Sequence, residues 1–220
     1  MIPDIRSQLK SDQGCLCAYC EARLIENDPH RWGVEHFVQR ALTSSNHNWD
    51  LDWDNLLAVC KGGENDPKPR ELHCDRQKND GGKKPPLPPD CRGYILKPTE
   101  LQALPSLFDF DLSTGALSPN VQVCQQFSPP SNQMPSTAAL VQNTIDHLNL
   151  NCERLKEKRK VARQDLEERI AATRQNGKTL NGLVADVFKD PHFWPEFFTV
   201  YLIRLGNIAK NFLVQNNYTG

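Results

Sequence analysis

Two cysteines separated by two residues, Cys17-Ala-Tyr-Cys20, constrain this chain more than any other feature. Two thiolates at that spacing hold one Zn²⁺ from a tight turn, and a tetrahedral site then needs two more ligands from elsewhere. Cys60 and Cys74 are the candidates, and the thirteen residues KGGENDPKPRELH between them form the loop that must bring them together. Cys15 lies two residues before Cys17, and His73 adjoins Cys74, so either can replace a member of the quartet. A metal held in this way supplies folding free energy that a fold of about 60 residues cannot obtain from its apolar core alone.

The rest of the chain favours metal over disulfides. The N-terminus, MIPDIRSQLKSDQ, is polar from its fourth residue and lacks the apolar region of a secretory signal. A cytoplasmic setting is therefore expected, where thiols stay reduced. Cys91, Cys124 and Cys152 are scattered, and they read as small buried side chains. The longest apolar stretch, Phe197 to Leu205, is interrupted by Thr199 and Arg204 and is too short to span a bilayer, so no membrane partner is expected. With 26 Lys plus Arg against 27 Asp plus Glu, the net charge is −1. Any contact with nucleic acid must then come from local basic patches.

Composition divides the 220 residues into three segments. Residues 1–85 carry most of the Cys, His and Trp, and the Gly/Pro run GGKKPPLPPD, Gly81 to Asp90, which suits neither a helix nor a central strand, straddles their end. Residues 86–135 are a turn-rich connector, in which Leu107–Asp111 alternates as a strand does and LSTG–ALSP reads as a turn and a return strand. Residues 136–220 are helical. Ser136 or Thr137 caps a helix to about His147, and Asn149 or Asn151 caps the next, with a stripe of Leu155, Ala162, Leu166 and Ile170 ending near Gly177. A short helix carries Leu183, Val184, Val187 and Phe188. A last one runs through Phe197, Phe198, Tyr201, Leu202, Leu205, Ile208, Ala209 and Phe212.

Between the cysteine pairs lie Val34-Glu35-His36-Phe37 and Trp53-Asp54-Asn55-Leu56-Leu57, and the last cysteine opens Cys74-Asp75-Arg76-Gln77-Lys78. Singly these are ordinary: a histidine beside a glutamate is usually a surface residue, and an asparagine before two leucines is usually a turn. Their order, framed by zinc-spaced cysteines, resembles the HNH nuclease family. More closely, CAYCE, VEHF, WDNLLAVC and HCDRQKND are similar to the PtuB-type HNH nucleases of Septu anti-phage defence systems and some retron operons. FDFDLSTGALSP and TIDHLNLNCERLKEKR extend the resemblance over most of the chain. Similar proteins often carry a longer leader, whereas here only 16 residues precede Cys17, and a surface supplied by that leader is expected to be missing or replaced.

The resemblance implies an α+β fold: a zinc-stabilised ββα-metal (HNH/His-Me finger) nuclease core followed by a mainly α-helical C-terminal domain. It implies His36 as general base and Asn55 as the residue that orients the base-bearing loop. It implies Glu35 and Asp75 as ligands of a catalytic metal, and the zinc quartet stays Cys17, Cys20, Cys60 and Cys74. Both catalytic-metal positions are carboxylates, a departure from the commonest pattern, and oxygen donors favour Mg²⁺ or Mn²⁺. Lys78, one turn after Asp75 if helical, is the expected phosphate contact. Other basic residues near it are Lys61, Lys68, Arg70, Arg76, Lys83 and Lys84.

Arg154–Arg163 holds six basic residues and one acid, and reads equally as a phosphate-binding or a solvated helix face. Trp32, Trp49 and Trp53 are candidates for base stacking, although core packing is the commoner fate of tryptophan. The implied partners are nucleic acid, with DNA favoured over RNA, and a PtuA-type ATPase. The ATPase would dock on the helical segment, where Phe193, Trp194, Phe197, Phe198 and Tyr201 are more aromatics than a small helical bundle needs to close, so that some are core and the excess is available to a partner. Two other functions fit fewer of these residues: a zinc knuckle that binds nucleic acid or protein without cutting, and a stand-alone restriction-like HNH enzyme.

Overall fold

A computed structural model describes residues 2–25, 30–65, 71–80, 85–102 and 104–218. Helix α1 (Ile2–Asp12) leads into the Cys17–Cys20 turn. Strands β1 (Trp32–His36) and β2 (Leu56–Cys60) form an antiparallel pair, with Trp32 opposite Cys60, Glu35 opposite Leu57 and His36 opposite Leu56. Helix α2 (Cys74–Asp80) follows. Leu56, Leu57, Ala58 and Val59 are all buried because α1 and α2 both pack against β2, so this strand shows no alternation of apolar and polar residues. The α1 helix lies in a stretch that its polar sequence leaves without a helical signal. Its anchor is Leu9, buried in the core, and the next turn brings the Gln13 amide onto both backbone groups of Ala58, each at 2.8 Å.

The connector forms the expected hairpin, β3 (Phe108–Phe110) with β4 (Leu117–Pro119). Its turn is held by Asp111, whose Oδ1 accepts from Ser113 N, Ser113 Oγ and Thr114 N, and these bonds hold its carboxyl down at about 2. Gly115 closes the turn at φ 76°. Its Cα rests against α5, such that a Cβ there would come within 2.3 Å of the Lys156 carbonyl. A short helix α3 (Val121–Cys124), capped by Asn120, ends this segment.

The helical segment comprises α4 (Thr137–His147), α5 (Glu153–Gln175), α6 (Leu180–Val187), α7 (Phe198–Leu205) and α8 (Asn207–Gln215). Ser136 caps α4 as expected, its Oγ accepting from Ala139 N. Neither Asn149 nor Asn151 caps α5. Asn149 sits at φ 49° and donates to the Leu72 carbonyl, while Asn151 exchanges hydrogen bonds with the Leu117 backbone. The cap comes from far away in sequence: both Glu71 oxygens accept the first α5 amides, Glu153 N and Arg154 N. The expected last helix is two, because Gly206 at φ 59° and ψ −135° breaks it between α7 and α8.

The apolar interior is continuous across the three segments. A single cluster joins Phe37 and Leu57, Leu107 and Phe110, and Leu140, Leu155 and Phe197. Of the five aromatics whose excess suggests a partner face, Phe197, Phe198 and Tyr201 are buried, Trp194 is partly buried against Phe188 and Phe198, and Phe193 alone is exposed, with the Arg23 guanidinium stacked on its ring. Four of the five therefore pack in or against the core, because α7 closes onto both β3 and α5. No described helix is long and apolar enough to cross a membrane.

Gly115 and Gly177 test the hairpin's seat on α5. Both have positive φ, but a Cβ at Gly177 meets nothing within 4 Å. Gly177→Ala should lower stability by about 1 kcal/mol, the cost of left-handed backbone alone. Gly115→Ala adds a backbone clash and should cost at least about 1 kcal/mol more. Urea midpoints of the two variants measure the difference, and equal midpoints would show that the turn does not press on the helix.

Candidate metal centre and active-site cleft

The four thiols predicted as a quartet do converge. The Sγ atoms of Cys17, Cys20, Cys60 and Cys74 all lie within 4.8 Å of one another, with Cys17–Cys74 at 4.0 Å and Cys20–Cys60 at 3.7 Å. A tetrahedron with metal–sulfur bonds of about 2.3 Å has edges of about 3.8 Å, so the spacing fits one tetrahedral thiophilic ion. Local backbone aims the sulfurs. Cys60 N donates to Cys17 Sγ at 3.3 Å, and Gly62 N donates to Cys60 Sγ at 3.4 Å. Cys74 takes φ 53° as the first residue of α2, and its amide donates to the Leu148 carbonyl at 2.8 Å. Neither alternative ligand joins them: Cys15 turns its thiol to the His192 carbonyl, and His73 lies outside the converging group.

A cleft of about 790 Å³ opens beside this centre. Glu35, His36, Asp75 and Lys78 all line it, together with Arg40, Asn48, Asp50, Asn79 and Pro88. Strand alternation sends Glu35 and His36 to different surroundings. Glu35 is buried, whereas His36 is partly open to the cleft.

His36 Nε2 lies 3.2 Å from both the carbonyl and the Oδ1 of Asp50. A carbonyl only accepts, so Nε2 carries the proton, and in the neutral ring Nδ1 keeps its lone pair. Asp50 has no counterpart in the sequence reasoning, since it lies fourteen residues away in the β1–β2 excursion and has no motif spacing.

Asn55 holds that excursion in place. It is fully buried. Its Oδ1 accepts from Val38 N at 2.7 Å, its Nδ2 donates to the Val38 and Trp49 carbonyls at 3.0 and 2.7 Å, and its own carbonyl accepts from Phe37 N. One side chain thus ties the residues just after His36 to the far end of the excursion, using every donor and acceptor of its amide. It does not itself line the cleft.

Glu35 and Asp75 share the inner end of the cleft. Burial, reinforced by Asp75 and opposed by Lys78, pushes the Glu35 carboxyl up to about 7. Burial likewise raises Asp75. Glu35 Oε1 accepts from Lys78 Nζ at 2.5 Å, while its Oε2 is buried without a hydrogen-bond partner among the described residues. Asp75 Oδ1 accepts from the Asn79 amide one turn along α2.

Lys78, the expected phosphate contact, lines the cleft with its ammonium already engaged. Its ammonium donates to Glu35 and to the Phe37 carbonyl at 2.9 Å, lies 4.9 Å from the Phe37 ring, and has a side chain only 9% exposed. Burial alone would push it down, but Glu35 and its neighbours more than offset this and hold it above the usual lysine value. The pair is fixed because one turn of α2 brings Lys78 under the floor of β1.

The basic surroundings are also partly committed. Arg76 pairs with Glu64 at 3.1 Å, and Lys68, Arg70, Lys83 and Lys84 lie outside the described residues. On α5, Lys156 and Lys160 pair with Glu153 and Glu157, Arg163 donates to the Leu112 carbonyl, and Arg159 is buried, so this stretch is not a continuous phosphate-binding face. Trp32 is core, Trp49 lies between His47 and Arg92, and Trp53 is exposed, although none of the three lines the cleft.

The chain is 37% identical over 162 residues to a protein of Escherichia coli named "Retron Ec83 putative HNH endonuclease". The match takes in 71% of this chain and 63% of that relative, so the chain covers less than two thirds of the relative's length. No family model and no solved structure matches.

Replacing Asn55 by Ala should leave Val38 N–H, Val38 C=O and Trp49 C=O unpaired in the interior. At about 1–3 kcal/mol for each buried polar group left unsatisfied, the loss should be at least about 3 kcal/mol, read as a urea midpoint shift. A loss under about 1 kcal/mol would show that the excursion holds its shape without Asn55.

Proposed function

We propose that this protein is a metal-dependent HNH endonuclease that hydrolyses phosphodiester bonds of nucleic acid, with β1, β2 and α2 as its ββα-metal core. The observation that carries the reading is the meeting of Glu35, His36 and Asp75 in one cleft beside a four-thiol centre, with Asn55 clamping the loop. The name of the E. coli relative points to the same activity.

The residues fit a hard divalent ion. Glu35 and Asp75 offer carboxylate oxygens, and Glu35 Oε2 is a buried acceptor without a donor among the described residues. Mg²⁺ or Mn²⁺ held by these two would neutralise charge building on the scissile phosphate and its leaving oxygen. His36 Nδ1 takes the proton of the attacking water, while Asp50 holds the ring in the tautomer that leaves Nδ1 basic and stabilises the imidazolium that forms. Lys78 fixes the Glu35 side chain and balances part of the acidic charge at the inner end of the cleft. Arg40, at the rim and largely exposed, is the cation best placed to meet a phosphate backbone. The separate quartet Cys17, Cys20, Cys60 and Cys74 holds Zn²⁺ as a structural ion, since a closed set of four thiolates leaves no position for substrate.

The setting we propose is anti-phage defence, acting on DNA with a PtuA-type ATPase as partner. The sequence resemblance to PtuB-type nucleases and the retron in the relative's name support it. Docking would then use surfaces other than the buried α7 aromatics. Co-purification of the full chain with an ATPase encoded beside it tests this part, and a monomer that protects cells alone would rule it out.

His36→Ala should lower phosphodiester cleavage by about 10²–10⁴ without changing the unfolding midpoint. Asp75→Ala should be equally inactive and lose its response to Mg²⁺ or Mn²⁺. Cleavage of a plasmid substrate measures both, and a His36→Ala protein that still cuts would remove His36 as the base. Zinc should be present at one ion per chain in purified protein, and Cys20→Ser should yield unfolded or insoluble chain. Folded wild-type protein without zinc on elemental analysis would refute the structural site.

A further inference from the structure

The four thiols do not reach their centre in the same way. Cys74 alone among them has a positive φ, 53°, while Cys17, Cys20 and Cys60 arrive on ordinary backbone. A side chain disfavours that left-handed region, so the conformation persists only where surrounding bonds impose it. The place is a sensitive one. Cys74 is the first residue of α2, so its backbone angles set the direction in which the helix leaves the preceding loop. Asp75 and Lys78, which line the cleft, stand on that helix.

The bonds that impose it come from one turn between α4 and α5, Leu148-Asn149-Leu150-Asn151. Adjacent residues of this turn hold the peptide groups on either side of His73. The Leu72 carbonyl accepts from Asn149 Nδ2 at 2.8 Å, and Cys74 N donates to the Leu148 carbonyl, also at 2.8 Å. From another direction, His73 N donates to the Gly62 carbonyl at 3.0 Å, so the chain entering α2 is gripped by two separate segments. The turn is itself well anchored. Leu148 and Leu150 are buried in the core, and Leu150 N donates to the Ile145 carbonyl at 2.8 Å. Asn149 takes φ 49°, a region that asparagine tolerates better than most side chains. Asn151 serves a different neighbour, since both of its bonds go to Leu117 in β4.

We infer that Asn149 is a positioning residue of the active-site cleft: together with the Leu148 carbonyl it fixes the backbone of Cys74, and thereby the place of Asp75 at the start of α2. Asn149 neither lines the cleft nor belongs to the thiol quartet, so it acts through Cys74 alone. This rests on the reading of Asp75 as a ligand of the catalytic ion. The acid then takes its place from a turn of the helical segment, and the nuclease segment does not set its own site unaided.

The test uses the full chain with its structural ion and a matched control on the same turn. Asn149→Gly keeps the left-handed backbone open and removes the amide, whereas Asn151→Ala removes the amide that serves the hairpin. Mn²⁺ binding is followed by loss of the free-ion EPR signal, with no substrate present. Asn149→Gly should bind Mn²⁺ about 10–100-fold more weakly than wild type, the usual cost of losing a group that orients a metal ligand. Asn151→Ala should stay within a few-fold of wild type, although both variants lower the urea midpoint. With Co²⁺ in the four-thiol centre, Asn149→Gly should also shift the ligand-field bands, because Cys74 moves, and Asn151→Ala should leave them in place. A role in stability alone predicts that the two variants behave alike in both measurements.

Wild-type Mn²⁺ affinity in folded Asn149→Gly overturns the inference, and so does an equal loss in Asn151→Ala. If Asn149→Gly does not fold, Asn149→Asp against Asn151→Asp gives the same comparison, since each exchanges one amide donor for an oxygen facing a backbone carbonyl. A wild type that binds no Mn²⁺, or an Asp75→Ala protein that binds it as tightly as wild type, brings down the catalytic-metal reading and the inference with it, which separates that failure from the others.

Discussion

The fold depends on four sulfur atoms being in one place. Cys17 and Cys20 come from a turn after α1, Cys60 from the last residue of β2 and Cys74 from the first residue of α2. Fixing those points sets the direction of β2, the start of α2 and the position of the N-terminal turn between them. The cleft follows from that. Asp75 is the residue after one ligand, and β2 is paired with β1, which carries Glu35 and His36. The acidic floor and the histidine are thus placed by the geometry of the four thiols.

Much of this was legible in the sequence because it is local. The Cys-x-x-Cys turn, the hairpin with its Asp111–Gly115 turn, the Ser136 cap and the helix ends at Gly177 all rest on interactions within a few residues. What was not legible is what side chains far apart in sequence do for each other. Asn149 and Asn151 look like caps, but tertiary hydrogen bonds to Leu72 and Leu117 take their amides, and Glu71 caps α5 in their place. Polarity hid α1, since its burial rests on few residues. Gly206 lay inside a periodic apolar stripe, and its φ and ψ, invisible in composition, split the helix.

The candidate site shows the same division. Its chemical identities came from motif order, and the cleft assembles them. Their electrostatic state did not. Lys78 reads as a phosphate contact one turn from Asp75, and burial against Phe37 and Glu35 makes it a partner of the acids. Asp50 holds His36 from inside an irregular loop, where no periodicity marks it. Arg159 reads as one of six solvated bases and is the one that faces inward.

The Gln13 amide has a wider consequence. A two-stranded sheet has two free edges, and a free edge is a template on which another chain can add a strand. On β2 that outer edge is occupied at its centre. Gln13 takes the Ala58 amide and carbonyl, and Ala18 N donates to the same carbonyl. A side chain therefore mimics the missing neighbour strand, and α1 covers what lies beside it. This apolar strand, Leu-Leu-Ala-Val, carries no charge to discourage stacking with another chain, and the N-terminal helix withholds it from recruitment.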